Sequence, residues 1–373
     1  MPLRWIPWRS IWLPVVCADT AVIGAIIVNY HTGQLLPALL DALAASPQVA
    51  ETLIIDNSPD DAALVELAAR PKVQVLAPGV NLGFATAVNQ AAARLPLPWW
   101  LIINPDARPL PGSVAALLRA ARRHDVLIVG PRAFWDDDCR WRLPPASGDS
   151  WWWQQGAGAA AAYRLDAQLL SFYWRLRHER FWSRSEPFAE PFLSGGCLLV
   201  RNDPAHFPGG RVFDQRFFLY YEDTDLCAGM LGDEQRMLCV PDASIVHYWD
   251  QSPRSAKTRY MADASNLFFD KHYEMQPPGG PLTDRDRPWP GEDLGTLSAS
   301  PELACKGDAQ RSGMQLEVGI NPHLVPFVQR DFNPDASPFT PAHWRRLASG
   351  AYFAQLRVPD EPYPLQRWRW RKA

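Results

Sequence analysis

Short apolar runs alternate with amphipathic segments over the first third of the chain. Strands buried on both faces are predicted for five runs: AVIGAIIVNY, TLIIDN, VQVLAP, WWLIINPD and VLIVGP. Between these runs, apolar residues at helical spacing predict helices over Gln34–Ala45, Ala62–Ala69, Phe84–Leu95 and Ser113–Arg123. Because continuous apolar strands separated by helices are typical of a parallel sheet covered on both faces, this region is predicted to be α/β.

Polar residues stand where three of these strands end. Asn29 ends the first strand and Asp56 the second, while Asn104 and Asp106 follow the fourth. Open parallel sheets bind ligands at the carboxyl ends of their strands, so we expect these residues to share one binding rim. The segment VNYHTG after the first strand lacks G-x-G-x-x-G, and there is no P-loop, which argues against a dinucleotide or Walker-type site.

The third strand–helix connection, GVNLGFATAVNQ, has two interpretations. Asn81 and Gly83 open the following helix, where backbone amides could bind a phosphate. The same N-x-G pattern also occurs in a plain helix-entry turn, and the sequence leaves both open.

Carboxylates cluster later, at another helix start. Glu222, Asp223 and Asp225 follow two tyrosines, and His247 ends a further short strand. Acidic side chains in a first helical turn are stabilised by the helix dipole, so they could be structural. They also suit a general base beside a bound substrate, and His247 is either structural or a ligand.

Composition excludes some classes of function. The 37 Lys and Arg nearly balance the 40 Asp and Glu, so no nucleic-acid partner is expected. The six cysteines lack C-x-x-C or zinc spacing, which indicates reduced thiols in a cytoplasmic protein. Pro14 interrupts the apolar run near the N-terminus, and no run approaches the roughly 18 residues of a membrane span, so neither a signal peptide nor a membrane helix is predicted.

Eight segments, in chain order, resemble the family 2 glycosyltransferases, and most closely the rhamnosyltransferase and galactofuranosyltransferase branch that builds bacterial surface polysaccharides: AIIVNYH, IIDNSPDD, NLGFATAVNQA, IINPDARP, FLSGGCLLVRND, FDQRFFLYYEDTDLC, VPDASIVHYWDQS and RYMADASNLFFDKHY. The resemblance implies the GT-A fold, a mixed nucleotide-binding sheet flanked by helices. It also implies inverting transfer from a nucleoside-diphosphate sugar, UDP- or dTDP-linked, with a divalent metal, Mg²⁺ or Mn²⁺.

The resemblance assigns donor and metal roles to matching residues. Asp56 matches the acid that hydrogen-bonds the nucleobase, with Asn29 beside it, and Asn104-Pro105-Asp106 occupies the D-x-D position. It implies that Asp106 and His247 bind the metal. Donor binding is further expected at the segment Asn81 to Gly83 and at Ser194, Gly195 and Gly196.

The resemblance also assigns the catalytic residues. Asp223 matches the base that takes the acceptor proton, Asp225 is the second choice of base, and Glu222 would orient the acceptor or the helix. This chain departs from the branch at one position: the branch commonly carries Arg where this chain has Ala228. Arg236 could replace that arginine in space. This departure weakens any inference about the donor sugar.

After residue 274 the pattern changes. A Pro-rich linker is predicted over 275–297 and a small β-rich domain over 298–373. The regions before them are an N-terminal extension (1–20) and a GT-A domain, with its donor half at 21–130 and its acceptor half at 131–274. The last domain could bind carbohydrate, form a homo-oligomer or support the acceptor side. The Trp- and Arg-rich ends, including RWRWRK, fit either peripheral contact with a membrane or a frayed basic terminus.

The acceptor implied by the resemblance is a glycan or a lipid-linked glycan. Three alternatives remain at this level: a nucleotidyltransferase, which would need a Gly-rich basic loop after the first strand; a non-catalytic sugar-nucleotide or glycan-binding protein; and a scaffold. The presence of Asp106, Asp223 and His247 favours the enzyme.

Overall fold

The computed structural model describes residues 21–58, 61, 63–147, 164–230, 237–248, 257–275, 277, 289–305, 313–358, 361 and 363–373. The predicted N-terminal extension, Arg236, the run Trp151–Trp153 and most of the predicted linker lie outside these residues.

Strands and helices alternate in the first part of the chain as the apolar pattern predicts. Its elements are β1 (Ile23–Asn29), α1 (Leu36–Ala44), β2 (Val49–Asp56), α2 (Ala63–Leu67), β3 (Val73–Leu76), α3 (Phe84–Ala92), β4 (Trp99–Ile103), β5 (Ala107–Pro109), α4 (Ser113–His124) and β6 (Ile128–Phe134). The middle part then adds α5 (Arg164–Ser183), β7 (Phe188–Ala189), β8 (Cys197–Arg201), α6 (Glu222–Met230), β9 (Met237–His247) and α7 (Lys257–Tyr273).

These strands form one mixed sheet in the order β3-β2-β1-β4-β8-β6-β9-β5, with β7 paired to β9. The strands β1 to β4 are parallel, as predicted, but β8 runs antiparallel between β4 and β6. Because β6 is also antiparallel to β8, it runs in the same direction as β4, and β8 is the antiparallel strand between them, as in the mixed sheet that the resemblance implies. Strand β8, from the middle of the chain, is apolar enough to occupy a central position: Leu198, Leu199 and Val200 are fully buried.

Helices cover both faces of this sheet. On one face α1 and α4 pack through residues such as Leu39 and Leu117, and on the other α3 packs through Val88 together with Phe213. Burial of these apolar side chains provides the main favourable free energy of folding. The predicted class, a mixed sheet flanked by helices with a small β-rich appendage, is confirmed.

A second, five-stranded sheet lies at the C-terminus. It comprises β10 (Glu292–Leu297), β11 (Gln315–Gly319), β12 (Val328–Asp331), β13 (Gly350–Arg357) and β14 (Gln366–Lys372), with α8 (Pro341–Arg346), in the order β10-β14-β13-β11-β12. Two expectations are corrected here. The stretch RWRWRK is not a frayed terminus, because it forms β14 with Trp368 and Trp370 buried, and β10 falls inside the predicted linker. Contact of this stretch with a membrane stays a prediction.

The two sheets share apolar clusters. Trp141 stacks on Phe339 with ring centroids 5.0 Å apart, and Trp174 of α5 packs against Phe327. Residues between β6 and α5 therefore form part of the core of the C-terminal sheet. Within the described residues, no helix combines the length and the apolar character needed to cross a membrane.

Candidate active site

A cleft of about 350 Å³ opens at the carboxyl ends of β1 and β4, beside the starts of β8 and α6. Most of the predicted site residues line it, and they come from five separate segments of the chain: Asn81, Gly83, Asn104, Asp106, Ser194, Gly195, Gly196, Glu222, Asp223 and His247. The parallel register, which pairs Asn29 with Asp56, confirms that these strand ends share one rim.

Asn29 lies behind the wall of the cleft. Its side chain is fully buried, and its amide nitrogen donates to Asp56 Oδ1 at 2.9 Å and to Asp61 Oδ2 at 3.0 Å. Direct contact with a donor is therefore excluded for Asn29, which instead fixes the Asp56 carboxylate. Asp56 is 6% exposed and does not line the cleft, whereas its neighbour Asn57 does. Sequence reasoning missed Asp61, whose polar surroundings give no periodic signal.

The third strand–helix connection is a helix-entry turn whose first amides are already bonded. Leu82 N donates to Asn57 Oδ1, Gly83 N to Asn81 Oδ1 at 2.9 Å, and Phe84 N to the Phe218 carbonyl at 2.7 Å. These three amides are therefore occupied, which favours the helix-entry interpretation, and donor binding by Asn81 and Gly83 stays a prediction. Gly83 is required by its φ of 77° and because a Cβ there would lie 2.5 Å from the Phe218 carbonyl oxygen.

Asp106 and His247 form one wall of the cleft. They are brought together by the antiparallel pairing of β5 and β9, with His247 Nε2 3.4 Å from Asp106 Oδ1. Gly196 makes room for the imidazole, because a Cβ at this position would lie only 2.5 Å from His247 Cε1. The Gly196 carbonyl also accepts a hydrogen bond from Asn104 N at 3.0 Å, which ties β8 to the D-x-D position.

Asp223 faces this wall from the start of α6. Its carboxylate accepts hydrogen bonds from Gly195 N at 2.8 Å and from Thr224 N at 2.7 Å. Burial raises the pKa of Asp223, and these backbone hydrogen bonds oppose that rise by favouring the charged form. Ser194, also in the cleft lining, is exposed, and its hydroxyl accepts from Gly196 N.

Glu222 is the more deeply buried of the two adjacent acids. Burial, and then the charge of Asp223, raise its pKa to about 8. Its Oε2 has no hydrogen-bond partner among the described residues. A group with this pKa is largely protonated at pH 7.

Asp225 lies outside the cleft. Its carboxylate is 2.7 Å from Lys271 Nζ and 2.7 Å from His272 Nε2, both on α7. The prediction of Asp225 as the alternative base does not fit this position, because Lys271 and His272 hold its carboxylate outside the cleft. It positions α6 against α7 instead.

Tyr220, Tyr221 and Lys257 also line the cleft or its edge, and the sequence analysis assigned no role to them. Tyr220 lines it with a left-handed backbone, φ 71°, and Tyr221 follows at φ 65°. Such conformations are strained in residues other than glycine, and they occur preferentially at functional sites. Lys257 of α7 lies 5.9 Å from the centroid of the Tyr220 ring and lines the same cleft.

The donor atoms present suit a cation that is completed by substrate. Among the described residues no group of three or more His, Cys, Asp or Glu side chains could hold a metal ion alone. Asp106 and His247 supply one carboxylate and one imidazole on the same wall. A cation bound by one or two protein ligands together with substrate phosphates fits this set.

Comparison with known proteins identifies the family. The family model described as glycosyl transferase family 2 matches residues 25–206. An N-acetylglucosaminyl-diphospho-decaprenol L-rhamnosyltransferase of Mycobacterium tuberculosis is 31% identical over 249 residues, which cover 61% of this chain and 76% of that relative. The chain belongs to glycosyltransferase family 2. It is therefore a glycosyltransferase, as the ordered motifs predicted.

Solved structures also resemble this glycosyltransferase. A mannosyltransferase from Pyrobaculum calidifontis in complex with GDP-Man and Mn²⁺ gives a TM-score of 0.46 at 16% identity, covering 69% of this chain and 66% of that one. TarS 1–349 of S. aureus gives 0.42 at 12% identity, covering 68% of this chain and 72% of that one. Neither likeness is close enough to carry the family assignment.

Proposed function

We propose that this glycosyltransferase moves a sugar, with inversion, from a nucleoside-diphosphate sugar to a hydroxyl of a lipid-linked glycan in surface polysaccharide synthesis. The observation that carries the proposal is the cleft itself, which sets the Asp106–His247 wall opposite a hydrogen-bonded Asp223. The mycobacterial relative, named for transfer of L-rhamnose to N-acetylglucosaminyl-diphospho-decaprenol, supports a dTDP-rhamnose type of donor and a lipid-linked acceptor.

Asp223 is the proposed base. The hydrogen bonds from Gly195 N and Thr224 N favour the charged form of its carboxylate, which lines the cleft. It removes the proton of the acceptor hydroxyl as the oxygen attacks the anomeric carbon, and the bond to the nucleoside diphosphate breaks on the opposite face. Protonated Glu222 next to it limits the negative charge that the incoming hydroxyl meets.

Asp106 and His247 are proposed to hold Mg²⁺ or Mn²⁺ with the donor diphosphate. When bound, this cation neutralises charge that develops on the departing diphosphate. Asn104 and the glycines of the segment Ser194 to Gly196 shape the wall against which the donor sugar lies. Asp56, fixed by Asn29, is proposed to receive the nucleobase beside Asn57. We propose that the protein acts in the cytoplasm, at the inner face of the membrane that carries the lipid-linked acceptor.

A donor panel tests this function. The full chain is incubated with Mn²⁺, an N-acetylglucosaminyl diphosphate on a prenyl chain, and dTDP-rhamnose or UDP-sugars, and the product is identified by mass spectrometry and NMR. We expect transfer from one donor with the anomeric configuration inverted. Product of retained configuration would contradict the single displacement, and absence of transfer from every donor would contradict the assigned substrates.

A further inference from the structure

An apolar groove of about 410 Å³ lies on the C-terminal sheet. Its walls come from the connection between β11 and β12, from the connection between α8 and β13, and from the end of β6. Residues typical of these walls are Ile320, Pro326, Leu347, Tyr352 and Trp135. Ile320 is 60% exposed and lies in this apolar lining, so it is available to a ligand in the groove.

The groove continues into the catalytic cleft. Lys257 lines both of them. Trp135, in the wall of the groove, donates from Nε1 to the Tyr248 carbonyl at 2.9 Å, and Tyr248 directly follows His247. The groove therefore adjoins the cleft at Lys257.

The junction is positively charged. Lys257 and Arg346 line the groove, and its described lining contains no Asp or Glu. The Arg346 guanidinium stacks 3.8 Å from the centroid of the Tyr248 ring and lies 3.5 Å from Asp137. Asp137 also pairs with Arg108 at 2.9 Å, so one carboxylate is shared by two arginines.

We propose that this groove binds the diphosphate-linked isoprenoid chain of the acceptor. The sequence of environments is cleft, cationic junction and apolar groove, which matches the order saccharide, diphosphate and hydrocarbon in a prenyl-diphosphate glycan. The diphosphate lies between Lys257 and Arg346, and the first isoprene units cover Ile320. This inference rests on the proposed function, because it extends the acceptor from the same site, and it gives the C-terminal sheet an acceptor-binding role.

Farnesyl diphosphate is the probe for the groove. It is titrated by calorimetry into the full chain without divalent metal and with UDP present, so that the donor site does not contribute. The variant Ile320→Glu places a carboxylate in the groove, and Val65→Glu is the matched control because Val65 is 77% exposed on α2 and lines none of the cavities described here. We expect wild type and Val65→Glu to bind farnesyl diphosphate alike, Ile320→Glu to bind it at least tenfold more weakly, and inorganic diphosphate to bind wild type more weakly than farnesyl diphosphate.

Several results would overturn the inference. The first is equal affinity of wild type and Ile320→Glu for farnesyl diphosphate. The second is an affinity of wild type for farnesyl diphosphate that is no higher than its affinity for inorganic diphosphate. The third is binding of wild type to phosphatidylglycerol vesicles without prenyl diphosphate that is as strong as its binding to farnesyl diphosphate. The last result would make the groove a membrane-contact surface. Steady-state kinetics provide a second readout: KM for acceptors should fall as the prenyl chain lengthens from one to three isoprene units in wild type, and not in Ile320→Glu. If KM falls with chain length in Ile320→Glu as it does in wild type, the proposed binding of the prenyl chain in the groove is contradicted.

The two failures are distinguishable. If UDP or dTDP binds with Mn²⁺ and sugar is transferred while farnesyl diphosphate fails to bind, the groove inference falls and the proposed function stands. If farnesyl diphosphate binds in the groove but no donor sugar is transferred, the proposed function falls.

Discussion

Two adjacent carboxyl groups at the start of α6 have different hydrogen-bond surroundings. Asp223 receives hydrogen bonds from two backbone amides, whereas Glu222 is buried beside it and its Oε2 has no hydrogen-bond partner in the described part of the chain. The hydrogen bonds to Asp223 favour its charged form, which is the form that accepts a proton. The pair thus separates the base from a neutral neighbour that shapes the site.

Isosteric amides at these positions should have opposite effects. Asp223→Asn removes the base, and we expect kcat to fall by about 10²–10⁴-fold. Glu222→Gln replaces a group that is already neutral at pH 7, so activity there should stay within about tenfold of wild type. Steady-state kinetics from pH 5 to 9 provide the measurement. Substantial activity of Asp223→Asn would contradict the assignment of the base.

The buried Glu222 should also make stability depend on pH. Its pKa in the folded chain is raised to about 8 from an ordinary value of 4.5, so the folded state holds a proton that the unfolded chain releases. The free energy of unfolding therefore falls as pH rises between these values, by on the order of 4–5 kcal/mol. Urea unfolding at several pH values should show this decline in wild type and a flatter profile in Glu222→Gln. Identical profiles would contradict the raised pKa.

Gly196 is expected to be intolerant of a methyl group. Its added Cβ would meet His247 Cε1 at 2.5 Å, so Gly196→Ala should displace the imidazole and lower activity by about a hundredfold. Gly229→Ala is the matched control, because a Cβ there meets nothing within 4 Å. That variant should keep full activity and gain up to about 1 kcal/mol of stability from its helical position. Equal activity of the two variants would show that Gly196 has no role in placing His247.

At the scale of elements, α6 is held by α7. Asp225 is buried and paired with Lys271 and His272 across the helix interface, so its charge positions the helix that carries Asp223. A buried pair is strongly destabilising when one partner is removed, because the other charge remains without compensation.

Lys271 keeps its second carboxylate partner, Asp214 at 2.9 Å, so Asp225→Asn should lower the free energy of unfolding by about 1–2 kcal/mol. The matched control is Asp263→Asn, which removes the exposed pair between Arg259 and Asp263 on α7. It should change the free energy of unfolding by less than about 0.5 kcal/mol. Chemical denaturation of both variants measures the difference. If the two cost the same, Asp225 does not anchor α6.

The sequence predicted elements unevenly, for physical reasons. Strands β1, β2 and β4 were predictable because burial on both faces requires continuous apolar runs, whereas β3 lies at the sheet edge and is only partly buried. The strand β14 carried a signal, since Trp368 and Trp370 alternate with arginines at the period of two that a half-buried strand requires, but its charge favoured an exposed terminus. The strand β10, EDLGTL, is a polar edge strand without a periodic signal. The antiparallel insertion of β8 depends on pairing distant in sequence, which local patterns do not encode.

The site was more predictable than its detailed contacts. Motif order found the cleft lining because strand ends converge on one rim. The burial of Asn29, the bonded amides around Gly83 and the outward position of Asp225 depend on side-chain partners far along the chain, so only the structure reveals them.

At the scale of the whole molecule, the two sheets share their cores. Trp141 and Trp174, which lie between β6 and β7 in the chain, pack against Phe339 and Phe327 of the C-terminal part. We therefore expect a single cooperative unfolding transition, with far-ultraviolet circular dichroism and tryptophan fluorescence giving coincident midpoints. Two separated transitions would show that the C-terminal sheet is an independent domain.

The central claim is that the cleft binds a nucleotide through a metal held by Asp106 and His247. The most direct measurement is calorimetric titration of UDP and dTDP, with and without Mn²⁺, into wild type and Asp106→Ala. We predict that one nucleotide binds wild type at least tenfold more tightly with Mn²⁺ and that Asp106→Ala loses this gain. Metal-dependent binding that persists unchanged in Asp106→Ala, or no nucleotide binding by wild type, would contradict it.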